Sequence, residues 1–308
     1  MSAGSGPLRS MSESESTGSR SRLDSFALVG AAYLVALAVG CWTALLFGAE
    51  RPLLTLAAAD LAATLAIWAF SMAFDNGSFY DAFWSVAPPF FVAWWIAQAG
   101  PGVSGVRQAA VAILVLAWAV RLTWNWARGW TGLHHEDWRY PLLYERAPMP
   151  KWASSLFGVH VFPTLQVFLG SLALVPALAR GTRPFGALDV LAVLVTSAAI
   201  LVELVADEQM RAFARDKRPG AIMDRGLWKW SRHPNYFGEL SFWWGLWLFG
   251  VAASPSSWWW TILGPLAMTA MFLFASIPML DERSAERRPG FEEYARRTRA
   301  MIPLPRLS

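Results

Sequence analysis

The sequence predicts an all-α, polytopic membrane protein: a bundle of seven or eight transmembrane helices whose cytoplasmic loops form a cofactor site. Three observations predict it. Of the 308 residues 55% are hydrophobic and only 16% charged, where a soluble domain carries about 25% charged residues. The apolar residues come in blocks of about twenty, the length that spans a ~30 Å hydrocarbon core. Lys and Arg segregate to alternate loops, the pattern that orients membrane chains.

In chain order, the first 25 residues are rich in Ser and Gly, lack a hydrophobic period and read as a disordered tail. They are not a secretory signal, because the first apolar block comes late and is long enough to span. Eight spans follow at about 26–48, 53–74, 82–99, 107–126, 156–179, 186–206, 236–253 and 257–280. The third contains "APPFF" (87–91), whose prolines predict a kink. The last two are shortened and joined by "ASPSS" (253–257), so one of them reads equally as a re-entrant piece.

With the N-terminus inside, the inner segments hold 21 Lys and Arg against four outside, Arg51, Arg107, Arg180 and Arg183. Both termini are therefore expected in the cytoplasm of a cell whose inner membrane holds the chain, a bacterial one by the resemblance given below. The single Cys41 lies inside the first span and excludes an intrachain disulfide or a cysteine metal site. The net charge of +4 follows from the inner loops and does not point to nucleic acid, since no aromatic-basic soluble domain is present. Membrane lipids and a hydrophobic small molecule are the expected partners; nothing in the sequence names a protein partner.

Dense polar sequence falls on one side of the membrane, at 124–140, 206–239 and 281–303. Arg and Lys dominate it, with Asp, Glu, Asn and Tyr interspersed. Arg forks grip phosphate while carboxylates and amides hold hydroxyls, so the surface suits a nucleotide cofactor. Headgroup contacts are the plainer reading of any single arginine. Within "WSRHPNYFGELSFWW" (230–244), Pro234 fits the first turn of a helix. Asn235 and Glu239 are then i, i+4 neighbours and Tyr236 lies beside Glu239 at i+3, so an amide, a phenol and a carboxylate share one face. Gly238 admits a close backbone or ligand. The plainer alternative is an interfacial cap with aromatic belt residues.

"HHEDWRY" (134–140) raises metal binding, but the chain has only four histidines (134, 135, 160 and 233), too few for a diiron hydroxylase. No metal is expected; Asp137 and Arg139 are read as a polar network and His160 as a hydrogen-bonded interior histidine. Ionisable residues inside spans are functional candidates by default. These are Asp60, Arg121 and Glu203, with Asp81 just before the third span, on the side where the other polar segments lie. Asp81 is the favoured proton donor, and Arg121 reads equally as a snorkelling residue. No GxSxG, GxxxxGK[ST] or usable GxGxxG is present.

At "RPGAIMDRGLWKWSRHPNYFGE" (218–239) the chain resembles the steroid 5α-reductase C-terminal-like family, most closely its bacterial branch, DUF1295. "FEEYARRTRAMIP" (291–303) is similar to that family's tail, and "EDWRY" (136–140) to its bacterial branch. The resemblance covers about 120–303 and implies a membrane-embedded NADPH-dependent reductase of a conjugated C=C bond in a steroid-, isoprenoid- or lipid-like enone. It implies NADPH contacts at Asp207, Arg211, Asn235 and Tyr294, and further ones at Arg121, Arg128, Glu203, Arg218, Arg232, His233 and Arg297. A catalytic role falls to Asp81, Glu239 and Tyr236. Trp118 stands where the family carries a tyrosine, three residues before Arg121, and cannot supply a phenolic proton. "RHPNYFGE" (232–239) is also similar to the box of isoprenylcysteine carboxyl methyltransferases, which bind S-adenosylmethionine. A methyltransferase and a non-enzymatic lipid-binding protein therefore stand as alternatives; "KRPGAIMDRGLW" and "EDWRY" favour the reductase.

Overall fold

The computed structural model describes residues 21–216 and 218–305; the expected tail over residues 1–20 lies outside them. The described residues are mostly helical, with no β-strand among them. Helix α1 (Arg22–Phe47) opens on the Ser21 hydroxyl, which accepts from the Asp24 backbone N–H, so helix begins four residues before the expected first span. Next come α2 (Pro52–Ala73), α3 (Phe83–Ala97), α4 (Gly105–Gly129) and the short α5 (Arg139–Arg146). Two composite helices, α6 (Lys151–Arg180) and α9 (Pro255–Arg287), enclose α7 (Ala187–Asp216) and α8 (Pro234–Ala253) in sequence. The chain ends on α10 (Phe291–Arg297).

Six of these helices are long and apolar enough to cross a membrane: α1, α2, α4, α6, α7 and α9. The other two expected spans also form helices. However, α3 has only 15 residues, and α8 carries Asn, Glu and three Trp. Burial explains the composition of α8. Twelve of its residues are buried, so it is the central helix, covered by α6, α7 and α9 rather than by lipid. A helix shielded by other helices needs a shape more than uniform hydropathy. Gly238 and Gly245 supply that shape: a Cβ on either would overlap Glu203 or Thr196 of α7. The close approach anticipated at Gly238 is therefore to another helix.

Helix α7 runs ten residues past the expected end of its span, to Asp216. Hydropathy falls after residue 206, but the polar residues there pair with α4 and the helix continues. The opposite end of the bundle holds a lock that the sequence hides. Arg107, expected in an outer loop, is fully buried and bonds both oxygens of Asp189 at 2.6 and 2.8 Å. Its remaining N–H groups donate to the Arg183 and Pro184 carbonyls. Thus α4 is pinned to the start of α7, and the polar ends of both helices are fixed at the far side.

Candidate functional site

The C-terminal ends of α4 and α7 and the N-terminal end of α8 meet at one end of the bundle. In the lowest layer, Arg121 of α4 contacts Glu203, donates to Asp207 at 2.9 Å and lies 3.8 Å from Glu239 of α8. Three carboxylates surround one buried guanidinium. Three carboxyl groups around one cation leave no free positive charge for phosphate and favour hydroxyl or amide donors. Glu239 is clamped by two indoles, Trp118 at 3.0 Å and Trp243 at 2.8 Å. Trp118 is fully buried and stacks on Phe242 with ring centroids 4.6 Å apart. The indole at the unusual position thus donates a hydrogen bond from within a packed core.

One turn further along α4, Asn125 accepts from Arg211 at 2.7 Å, and Arg128 pairs with Glu208. Residues 121, 125 and 128 follow helical spacing, so a polar ladder zips α4 to α7. The Nε atoms of Arg121, Arg128 and Arg211, and Oε1 of Glu203, are buried with no hydrogen-bond partner among the described residues. Such orphans are costly and mark where an additional polar group would fit.

A second group forms around the start of α8. Arg232 holds Asp281 of α9 at 2.6 Å and the Thr298 carbonyl at 2.7 Å, while His233 Nε2 lies 3.0 Å from the same Asp281. The backbone N–H groups of Arg232 and His233 donate to the Arg299 and Ala300 carbonyls, and the Ser231 hydroxyl donates to Met301. Tyr294 donates its phenol to the Trp228 carbonyl at 2.5 Å, and Arg297 pairs with Asp224 at 3.1 Å. These side chains dock the tail under the 218–233 loop. Burial raises the Tyr294 phenol above its ordinary range. Arg218 is exposed at the start of that loop.

Arg232, His233, Asn235, Tyr236 and Tyr294 all line one pocket of about 180 Å³, together with Met223 and Trp228. Neither the Asn235 amide nor the Tyr236 hydroxyl has a hydrogen-bond partner among the described residues. The Tyr236 ring lies between His233 and Phe272, at centroid distances of 5.5 and 4.6 Å.

Asp81 belongs to a third group. Tyr140 donates to it at 2.5 Å, the Gly77 N–H donates to Glu136 at 2.7 Å, and the Asp137 N–H donates to the Ser78 hydroxyl at 3.2 Å. Burial pushes Asp81 up to about 6, against the hydrogen bond from Tyr140. Burial also opposes ionisation of Asp137, yet the bidentate Arg139 holds its carboxyl below the usual range. The Asp137–Arg139 network expected from sequence is present, and His134 and His135 are exposed. Among the described residues Asp81 makes no hydrogen bond to Glu239 or Tyr236, so the three expected catalytic side chains are not joined directly.

Sequence reasoning missed the indole clamp, Asn125, Asp281 and Tyr140. Trp243 had a signal, being i+4 to Glu239. The others come from helices distant in sequence.

A family model described as "Protein of unknown function (DUF1295)" matches residues 67–298. The chain is similar to "Uncharacterized protein C594.04c" of Schizosaccharomyces pombe (strain 972 / ATCC 24843), 29% identical over 262 residues, which cover 77% of this chain and 75% of the relative. No solved structure matches the chain. The family match runs from the last third of α2 to the residue after α10 and takes in the side chains of all three polar groups: the chain belongs to the DUF1295 family.

Proposed function

We propose that this protein is a membrane-embedded NADPH-dependent reductase of lipid metabolism, acting on a conjugated C=C bond in a hydrophobic enone. The observation that carries the reading is the pocket lined together by Arg232, His233, Asn235, Tyr236 and Tyr294, with the buried, unpartnered arginine Nε atoms of the α4–α7 ladder. The resemblance to the steroid 5α-reductase family, whose bacterial branch the motifs follow, supports it. By the positive-inside rule the polar end faces the cytoplasm, where NADPH is found.

The residues present fit such a cofactor in a specific way. The carboxylate-rich layer around Arg121 suits ribose hydroxyls and a carboxamide, while phosphate would meet the exposed Arg218 or draw on Arg128, Arg211 and Arg232, which now hold Glu208, Asn125 and Asp281. When bound, NADPH supplies a hydride to the β-carbon of the enone. The chain must then provide one proton and polarise the carbonyl oxygen. Glu239 accepts from both indoles and so positions Arg121 and the start of α8. The Tyr236 hydroxyl keeps its hydrogen free to donate, and Asp81 with Tyr140 is the second available acid.

Titration of the detergent-solubilised chain with NADPH tests this. Indole fluorescence should be quenched and the unfolding midpoint should rise, and Asn235→Ala should weaken both responses without lowering the ligand-free midpoint. A response to S-adenosylmethionine in place of NADPH assigns the chain to methyl transfer. A response to neither leaves lipid binding without catalysis.

A further inference from the structure

Away from this site, one face of α2 carries Asp60, Thr64, Ile67 and Ser71, spaced i, i+4, i+7 and i+11, all buried. Opposite it, α6 presents His160 and Thr164. The pairing is antiparallel: Ser71 meets His160 Nε2 at 2.9 Å and Thr64 meets Thr164 at 2.9 Å, with the Tyr80 hydroxyl joining Thr164 at 2.7 Å. His160 is fully satisfied. Its Nδ1 lies 2.9 Å from the Ser155 carbonyl, which can only accept, so Nδ1 carries the proton and Nε2 accepts from Ser71. A widened π-type turn over Ser155–Val161 brings this ring round to α2.

The pairing stops one turn before it should. Asp60 is only 6% exposed and has no hydrogen bond among the described residues. As the ninth residue of α2 it sits about 12 Å along the helix, within the hydrocarbon. Next to it, three hydroxyls (Thr64, Thr164 and Tyr80) share two hydrogen bonds, which leaves one hydroxyl hydrogen without an acceptor. A buried carboxyl and a spare donor, side by side and unused, are a site for an oxygen that the chain itself does not supply. The flanking Leu61, Leu65, Phe162 and Leu165 are each more than 40% exposed, so the seam between α2 and α6 borders lipid.

We propose that Asp60 and Thr64, backed by Thr164 and Tyr80, form an intramembrane site for the single hydroxyl or carbonyl oxygen of an otherwise apolar lipid, reached sideways from the bilayer. The site holds the polar end of such a molecule whether or not the molecule is a substrate. A hard cation is the poorer occupant: one carboxyl is its only charged donor, and the hydroxyls nearby already spend their lone pairs on one another.

The test uses a long-chain alcohol carrying a diazirine, and the matching alkane that lacks the hydroxyl, irradiated with the full-length chain in detergent. The alcohol should label α2 and α6 peptides about fivefold more than the alkane, the ratio one hydrogen bond gives. Asp60→Leu should abolish that excess and Asp60→Asn retain part of it. Because Asp60 is unpartnered, Asp60→Leu should also hold or raise the unfolding midpoint, by roughly 2–4 °C. Equal labelling by alcohol and alkane, an excess that survives in Asp60→Leu, or a lower midpoint in that variant overturns the proposal. A sodium- or potassium-induced stabilisation lost in Asp60→Asn overturns it in favour of a cation. None of these readouts involves NADPH, so the site stands or falls apart from the reductase reading.

Discussion

The Trp118 indole donates to the Glu239 carboxylate at 3.0 Å, joining α4 to α8 across 121 residues of sequence. Trp118→Phe keeps an aromatic ring against Phe242 and removes only the donor. It leaves a buried carboxylate oxygen short of one partner, which should cost about 1–3 kcal/mol of stability. Denaturant titration in detergent measures it; an unchanged midpoint would mean the indole bond contributes nothing.

Arg121 and Arg107 give a matched pair of substitutions at opposite ends of the same helix. Removing either guanidinium strands buried carboxylate charge and should destabilise by about 3–5 kcal/mol. Only Arg121→Met should also abolish NADPH-induced stabilisation. If Arg107→Met abolishes it equally, the effect is global loosening and Arg121 has no special place at the ligand end.

Asp81 makes stability depend on pH in a defined direction. Its carboxyl is raised from 3.8 to about 6, so the folded state holds the proton more tightly than the unfolded chain. The stability this contributes is fully present below pH 3.8 and is lost as pH rises through about 6. The difference in unfolding midpoint between the native chain and Asp81→Asn should therefore change between pH 4 and pH 6 and be flat above pH 7. Tyr140, Asp137 and Arg139 face the same carboxyl, so Tyr140→Phe should move the window upward by removing the bond that favours ionisation.

The tail is held by Arg232, whose guanidinium bridges Asp281 and the Ala295 and Thr298 carbonyls. Arg232→Gln should free α10 locally while the bundle remains folded. Limited proteolysis should then cut after residue 288 faster, about tenfold for each ~1.4 kcal/mol of docking lost. Equal cleavage rates would show that the backbone pairing of 231–233 with 299–301 suffices.

How much of this was legible beforehand differs from residue to residue. The helical class followed from composition, because the bilayer admits few alternatives. The shared face of Asn235, Tyr236 and Glu239 followed from spacing within one helix. Trp118, Asn125, Asp281 and Tyr140 did not, since their partners lie 49 to 121 residues away and no local period reports such a contact. The end of α7 was misjudged for a related reason. Hydropathy falls where Asp207, Glu208 and Arg211 begin, yet those residues extend the helix by pairing with α4. Arg107 was hidden by its position near a span boundary, where a basic residue ordinarily faces water.

Four hydrogen bonds between the 76–81 and 135–140 segments share one offset: Asn76 with His135, Gly77 with Glu136, Ser78 with Asp137 and Asp81 with Tyr140 are each 59 residues apart. The two stretches therefore mate like a key in its wards. One residue inserted within either stretch puts every downstream partner out of step, whereas one inserted in the loop at 99–104 leaves all four matches intact. Length change in this protein is thus tolerated between the two stretches and forbidden inside them, although both kinds of site lie at the ends of the same bundle.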